Sequence, residues 1–559
     1  NYAANYWENH TSDFRKVVQT YKYDGSPYYR SPQKSTLNDQ TSRNLRNLLT
    51  ASATFDKQFN DHGIKAMVGY QQEDHRYDMH KGYRENYAFP DYPVLDAGGE
   101  ENQKAYGNSY EWSLRSIFGR INYDYQGKYL FEANMRYDGS SRFAEGNKWG
   151  IFPSVSAGWR ISEEAFWEPI RNIIDNLKFR ASWGQLGNQN VMNADNSAID
   201  PYPFSSNVNL DTKYIFDKTI SSGAAITNMA NRKITWETTT STDIGIDATL
   251  FGKLNITTDY FYKVTDDILM KLNVPLIIGM DAPSQNAGKM ENRGWEVSLS
   301  YADQVGDFNY RASFNISDVR NKILDMRGVN QTGLTVNREG HEMYSIYGLE
   351  AIGYIQPEDY DADGNYLGAT QYGNFGPGDI KYKDQNGDGV INTSDYKIIG
   401  GTIPRYTFGL SLYGDYKGFD LSMLFQGVGK ADGYINGQGI QTFIEGGTVQ
   451  EQHKDYWTPE NRNAKFPRLA FNETNNMQNS SFWMKNAAYI RLKNVQLGYA
   501  LPKNVLRKTP ISYLRFYVSG DNLLTIDSFW DGFDVEAPIG NGGYYPQLKT
   551  ISFGVDLKF

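Results

Sequence analysis

The last ten residues alternate without a break. Ile551, Phe553, Val555, Leu557 and Phe559 occupy every second position, separated by Ser552, Gly554, Asp556 and Lys558. A strand sends successive side chains to opposite faces, so this segment has one apolar and one polar face. The pattern recurs. Ile117, Gly119, Ile121, Tyr123 and Tyr125 alternate with Phe118, Arg120, Asn122 and Asp124. After Gln126-Gly127-Lys128 it resumes as Tyr129, Phe131, Ala133, Met135 and Tyr137 against Leu130, Glu132, Asn134 and Arg136, which reads as a hairpin. Further runs cover 155–161, 177–183, 244–262, 295–316 and 408–425.

Roughly fifteen such strands can be placed, most about 9–14 residues long, where strands of ordinary globular domains average about 5–6. A soluble sandwich or propeller alternates too, but with shorter strands. Strands of this length suit a transmembrane β-barrel, apolar outward and polar toward the lumen, where Arg120, Arg136, Arg160, Arg180 and Arg311 would point.

Composition closes other routes. There is no cysteine in 559 residues, which excludes disulfide scaffolds, zinc fingers and thiol enzymes. A net charge of −9 argues against a dedicated nucleic-acid binder. Mean hydropathy is −0.62. The longest apolar stretch, around Val274 to Met280, is far short of the ~20 residues of a membrane helix. The chain opens on NYAANYWENH, without an initiator Met or an apolar leader, and is expected to be a piece of something longer.

Connection lengths are an independent test. Short ones fall near 61–63, 126–128, 251–253, 302–307, 417–418 and 502–510, with a brief helix expected over 162–175. Long ones are expected at 80–109, 187–235, 271–290, 318–403, 428–487 and 520–547. Outer-membrane barrels have short periplasmic turns and long extracellular loops, with aromatics near the interfaces. Tyr125, Tyr129, Phe251, Tyr301, Phe308, Tyr416 and Phe419 flank the short turns. On this count residues 1–43 are an extracellular loop segment, and 44–559 form the C-terminal part of the barrel, its first strand at about 44–58.

Several blocks resemble one family. YDGSSRFAEGNKWGIFPSVSAGWRISEEAFW (137–167), LKFRASWGQLGNQN (177–190) and KDQNGDGVINTSDYKIIGGTIPRYTFG (383–409) are similar to the SusC/RagA group of TonB-dependent outer-membrane transporters. So are YKGFDLSMLFQG (416–427), YIRLKNVQLGYALP (489–502) and the YPQLKTISFGVDLKF terminus. The resemblance implies an all-β, 22-strand barrel in the bacterial outer membrane. About seven strands, the plug domain and the TonB-box would lie outside this chain. It also implies active import of large nutrients, oligosaccharides foremost and oligopeptides as the alternative. A SusD-like surface lipoprotein would close the mouth, TonB would act through the plug, and outer-membrane lipid and the N-terminal remainder of the barrel would surround the wall. A passive porin-type channel is the rival reading.

Site residues come last. Asp384, Asn386 and Asp388, the carbonyl of Val390 and Asp395 stand at positions 1, 3, 5, 7 and 12 of a calcium-type loop, with Gly389 at 6. Position 12 is Asp where Glu is usual, and Asn-Gly and Asp-Gly turns alone would build a metal-free hairpin, so a structural calcium ion and a plain turn both stand open. Asp361, Asp363 and Asn365 read as a turn. No G-x-S-x-G elbow, P-loop or H-E-x-x-H motif occurs, the six histidines are scattered, and no enzymatic activity is expected. Substrate contacts are expected from loop aromatics: Tyr344, Tyr347, Tyr354, Tyr372, Phe375, Trp457, Phe482 and Trp483. Packing within a folded loop, or contact with the lid, is the competing use of the same rings.

Overall fold

The computed structural model describes residues 1–192, 199–272, 274–329, 333–471 and 473–559. Its main feature is a 16-stranded antiparallel sheet. The strands are β1 (Tyr2–Arg15), β2 (Thr36–Phe59), β3 (His62–Glu85), β4 (Gly99–Tyr125), β5 (Tyr129–Ser140) and β6 (Trp149–Arg160). Then follow β7 (Ile174–Asn188), β8 (Glu237–Leu250), β9 (Leu254–Lys271), β10 (Ser284–Val305) and β11 (Phe308–Asp325). The last five are β12 (Arg405–Tyr416), β13 (Phe419–Lys430), β14 (Tyr489–Ala500), β15 (Tyr513–Asp527) and β16 (Thr550–Lys558). They lie side by side in chain order, which removes the odd count. Among the described residues no helix is long and apolar enough to cross a membrane.

Chain contacts divide into two units. The first holds Asn1–Ala157, Trp183–Thr240 and Asp266–Ala287. In it, β3 and β4 pair Ala66 with Ile121, Val68 with Gly119 and Tyr70 with Ile117 on one face. Two residues further the same face turns polar, with Gln72 opposite Arg115, Asp74 opposite Ser113 and Arg76 opposite Glu111. Ser113 donates to Asp74 at 2.7 Å, and Arg76 pairs with Glu111 at 3.3 Å. The apolar band therefore ends at Tyr70 and Ile117, yet β3 runs on to Glu85, about 50 Å further at ~3.3 Å per residue.

That extension corrects three expectations. Residues 80–85 and 99–109 are strand, so the expected loop 80–109 shrinks to 86–98. The strand expected at 44–58 is Thr36–Phe59. Residues 1–43 are not loop throughout, because Tyr2–Arg15 pairs with the Thr36–Leu49 end of β2. The cause is common to all three: above an apolar band both faces of a strand are polar, and alternation vanishes while the ladder continues. A small cluster, Phe143, Phe152, Val191, Ile234 and Trp236, is buried at the ends of these strands.

The second unit holds Gly158–Ser182, Ser241–Thr265 and Gly288–Phe559. Its sheet carries the complementary face. Arg180 forms ion pairs with Asp259 at 2.5 Å, Asp247 at 3.2 Å and Asp243 at 3.5 Å. Arg515 bridges Asp420 at 2.5 Å and Asp556 at 2.9 Å. On the other face Phe553 is 84% exposed and Ile551 65%, values that only a lipid surrounding makes sensible. Aromatics gather at the short turns as expected: Phe419 lies 4.4 Å from Tyr499, and Phe308 stacks at 5.5 Å on Tyr310. The helix expected over 162–175 is two 3-10 turns, Ile161–Glu163 and Ala165–Ile170.

The largest buried core of this unit is not in the wall. The described residues of segments 326–404, 431–488 and 528–549 form a cap around Ile346, Leu349, Ile380, Tyr382, Trp483 and Trp530.

Candidate functional site

The long connections were expected to carry substrate contacts, and the cap contains a cleft of about 610 Å³. Two sequence runs build it. Asn436-Gly437-Gln438-Gly439 follows the short strand Asp432–Tyr434, and Asn541-Gly542-Gly543 belongs to the segment after β15. A backbone bridge joins them: Asn436 N–H donates to the Gly540 carbonyl at 2.8 Å, and Gly540 N–H donates to the Tyr434 carbonyl at 3.1 Å. Gly437 and Gly542 sit at φ +74° and +69°, and a Cβ on Gly542 would strike the Phe533 ring. Glycine here permits the turn and leaves main chain as cleft surface.

Among the described residues the polar side chains of the lining are Asn436, Gln438, Gln441 and Asn541, with Ile444 and Met477 completing it and no charged group. Gln441 is 4% exposed; its Oε1 accepts from Gly437 N–H at 2.9 Å, while Nε2 has no partner. Asn541 Oδ1 accepts from Gly543 N–H at 3.0 Å. Carboxamides present donors and acceptors without charge, so the cleft suits a neutral ligand rich in hydrogen-bonding groups.

The wall behind it is fixed by buried ion pairs. Arg468 reaches Asp379 at 2.7 Å and Glu473 at 3.2 Å, and Asn476 donates to Asp379 at 2.8 Å. Burial pushes the Glu473 carboxyl above its ordinary range. Gln441 and Met477 also border a small recess of about 20 Å³ beside Arg468 and Glu473, room for one water. His453 is a core residue: Nδ1 accepts from Gln450 N–H at 2.9 Å and Nε2 donates to the Ile440 carbonyl at 2.8 Å. Burial lowers its pKa, which keeps it neutral.

Seven of the eight expected aromatics are occupied in packing. Trp483 is buried in the cap core, its Nε1 donating to the Asn476 carbonyl at 3.0 Å. Phe482 lies 4.9 Å from Trp483 and 5.7 Å from Tyr354, whose hydroxyl donates to the Ala464 carbonyl at 3.0 Å. Trp457 is buried, Tyr372 packs on the same core, and Phe375 meets Tyr366 at 5.1 Å. Tyr347 lies under the Arg338 guanidinium at 4.2 Å. Only Tyr344, 53% exposed, has a free ring. None of the eight lines the cleft. The residues that do line it went unread because Asn-Gly is also the commonest turn signal; two glycine-rich Asn-Gly runs in separate long connections were the available clue.

The 384–395 loop is held by its own backbone. Asp384 accepts from Gly387 and Gly389 N–H at 2.7 and 2.8 Å, and Asp388 accepts from Val390 N–H at 2.9 Å. Asp395, fully buried, accepts from Gln385 and Asn392 N–H, both at 2.8 Å. Among the described residues no three His, Cys, Asp or Glu side chains gather closely enough to hold a metal.

Comparison with known proteins places the chain. A family model, TonB dependent receptor-like, beta-barrel, matches residues 1–523. The chain belongs to that family. As a TonB-dependent receptor barrel it is an outer-membrane protein, its apolar face toward lipid and its polar face toward the lumen. TonB-dependent receptor P26 of Formosa agariphila is 32% identical over 477 residues, covering 80% of this chain and 46% of the relative. TonB-dependent receptor P3 of the same organism is 31% identical, with 92% and 53% covered. TonB-dependent receptor SusC of Bacteroides thetaiotaomicron is 28% identical, with 80% and 44% covered, which bears out the resemblance to the SusC/RagA group. The chain thus spans about half the length of the curated relatives it matches. Among solved structures, the RagAB peptide importer in its closed-closed state aligns over all of this chain and 59% of the other, with a TM-score of 0.80 at 24% identity, a likeness of fold.

Proposed function

We propose that the protein of which this chain is a part imports a large, neutral nutrient across the outer membrane by a TonB-dependent mechanism, with the amide-lined cleft of the cap as a binding element. The observation that carries this reading is the glycine-floored carboxamide lining around Asn436, Gln441 and Asn541, which holds no charge among the described residues. Oligosaccharides are the first substrate class, since carboxamides pair with hydroxyl groups in either direction. Peptides are the second reading, favoured by one feature: no aromatic ring lines the cleft to stack on a sugar, whereas exposed glycine main chain pairs with an extended peptide.

A SusD-like lipoprotein is the proposed lid, and TonB the proposed energy source, acting through a region outside this chain. The hairpin Val208–Phe216/Thr219–Ile226 supports a covering partner, because Leu210, Tyr214, Ile215, Phe216 and Ile220 are all exposed on an isolated two-stranded ribbon. A calcium ion enters the proposal only as a structural ion of the cap. Asp384, Asn386, Asp388, Val390 and Asp395 supply oxygens of the right type, and holding the ion requires them to turn from their N–H donors toward one centre.

Calorimetric titration of the purified transporter with neutral oligosaccharides and with oligopeptides tests the reading. Binding of one class, weakened at least about tenfold (~1.4 kcal/mol) by Asn436→Ala or Asn541→Ala, is expected. Binding that neither substitution touches would remove the cleft from the mechanism.

A further inference from the structure

Three arginines of this chain are nine-tenths or more buried: Arg142, Arg491 and Arg515. Two of them are paired. Arg491 holds Asp534 at 2.7 Å and Glu536 at 2.8 Å, and Arg515 holds Asp420 and Asp556. Arg142, 5% exposed, has no carboxylate within ion-pair distance among the described residues. Its Nη1 donates to Asn190 Oδ1 at 2.6 Å, and its guanidinium lies 4.7 Å over the Trp112 ring. Stacking occupies the plane of a guanidinium and leaves its edges available. The Nε atom is enclosed and has no hydrogen-bond partner, and Nη2 beside it has none among the described residues. These two N–H groups form the side-on fork that accepts both oxygens of a carboxylate.

Among the described residues the nearby acids have partners of their own. Glu73 pairs with Arg46 at 2.6 Å, Asp138 with Arg136 at 3.1 Å, and Asp200 accepts from Tyr202 N–H at 2.8 Å. A second unmet group stands at the same place. His75 stacks on Trp112 at 5.3 Å, and its enclosed Nδ1 has no partner. His75 and Trp112 face each other across β3 and β4, on the polar side of the wall. A buried cation with a free fork, next to a second orphaned nitrogen, describes one half of a pair.

We propose that Arg142 binds a carboxylate, side-on through Nε and Nη2, against Trp112 and His75. The carboxylate has two sources: an acid of the transporter outside the described residues, or a carboxylate-bearing solute from the lumen. The proposal does not use the cap cleft, so neither result decides the other.

The test is the apparent melting temperature of the intact, detergent-purified transporter, as wild type, Arg142→Gln and the charge-retaining Arg142→Lys. Each is measured in acetate and in chloride at equal ionic strength, at pH 7.5 and pH 4.5. The facing charges, Glu73, Arg46, His75, Tyr110 and Asp200, are shared by all three proteins, so differences between them report position 142. A rise of about 3 °C in acetate at pH 7.5, lost in both variants, identifies a solute carboxylate. No acetate effect, with an Arg142→Gln deficit that is large at pH 7.5 and shrinks at pH 4.5, identifies a carboxylate of the protein. The abandoned acid then takes up a proton and ceases to be an unpaired charge. No acetate effect with a deficit equal at both pH values, or no deficit, overturns the proposal and leaves a bound water as the partner.

Discussion

The wall and the cap follow opposite rules. In the wall, large apolar side chains are outside and charges inside: Phe553 and Ile551 stand exposed beside Arg515 and Asp420, which hold each other on the opposite face. In the cap, Trp483, Trp530 and Tyr382 are buried and most charges lie toward water, Asp379, Asp395 and Glu473 being buried acids held by hydrogen bonds. One chain thus folds against two solvents. The wall draws its stability from a hydrogen-bonded ladder in lipid, where every backbone group must be satisfied. The cap draws its own from apolar burial, as any water-soluble domain does.

The largest expected effect comes from breaking the wall's rule by one position. Phe553→Arg puts a charge on the lipid face and costs about 2–4 kcal/mol near the bilayer centre. Ser552→Arg, one residue away, points to the lumen and costs little. Folding assays in lipid vesicles, read by retarded migration of the folded barrel on gels, are expected to show loss of folded protein only for the first. Equal loss would mean the face assignment is wrong.

Next comes the core of the cap. Trp483→Ala removes a ring packed 6.3 Å from Trp530 and costs about 3–5 kcal/mol. Hydrogen exchange is expected to rise in the cap, over 346–404 and 431–483, and to stay unchanged over β12 to β16. Exchange rising in the wall as well would show one cooperative unit where the two rules predict two.

How much of this was legible follows from the same contrast. Ile117 to Tyr137 and Ile551 to Phe559 could be read directly, because a strand between lipid and lumen must alternate apolar and polar residues along the whole stretch that crosses the bilayer. Where β2, β3 and β4 leave the apolar band, both faces meet water, and residues 80–85 and 99–109 looked like loop while being strand. The cap was harder still. Its aromatics were visible, but Tyr354, Trp457 and Trp483 serve as core, and sequence alone does not separate a ring that packs from a ring that binds. Asn436 and Asn541 meet only through the bridge at Gly540, a long-range contact that no local pattern announces.

A smaller effect separates binding from packing inside the cap. Asn436→Ala is expected to weaken ligand binding at least about tenfold (~1.4 kcal/mol) with little change in cap stability, since it lines the cleft and is not part of the buried core. His453→Ala, behind the same wall, loses two hydrogen bonds and a buried ring, and is expected to cost about 2–4 kcal/mol. Calorimetry paired with thermal melts checks both. A cap that melts equally early in the two variants would make Asn436 structural. The loop at 384–395 is checked in the same melts, since a structural calcium ion raises the cap transition on addition of Ca²⁺ and chelation reverses it.

The smallest effect concerns pH, and it sharpens the comparison because it sits in the cap alone. Glu350 accepts from Lys397 and Gln385, both at 2.8 Å, and lies 3.7 Å from Lys383. The Lys397 hydrogen bond, followed by that from Gln385, brings its carboxyl down to about 2. A folded-state pKa below the unfolded one binds fewer protons in the native protein. The stabilisation is therefore complete above the unfolded value near 4.5 and is lost as pH falls toward 2. The side chain keeps 31% of its surface, so water and salt screen the pair, and the contribution stays within roughly 1 kcal/mol. Glu350→Gln is expected to lower the cap transition by about a degree at pH 7. The gap to wild type should narrow at pH 3 and close toward pH 2, with the wall transition unmoved throughout. A gap that widens on acidification would reverse the sign argued here and move the stabilising charge to another residue.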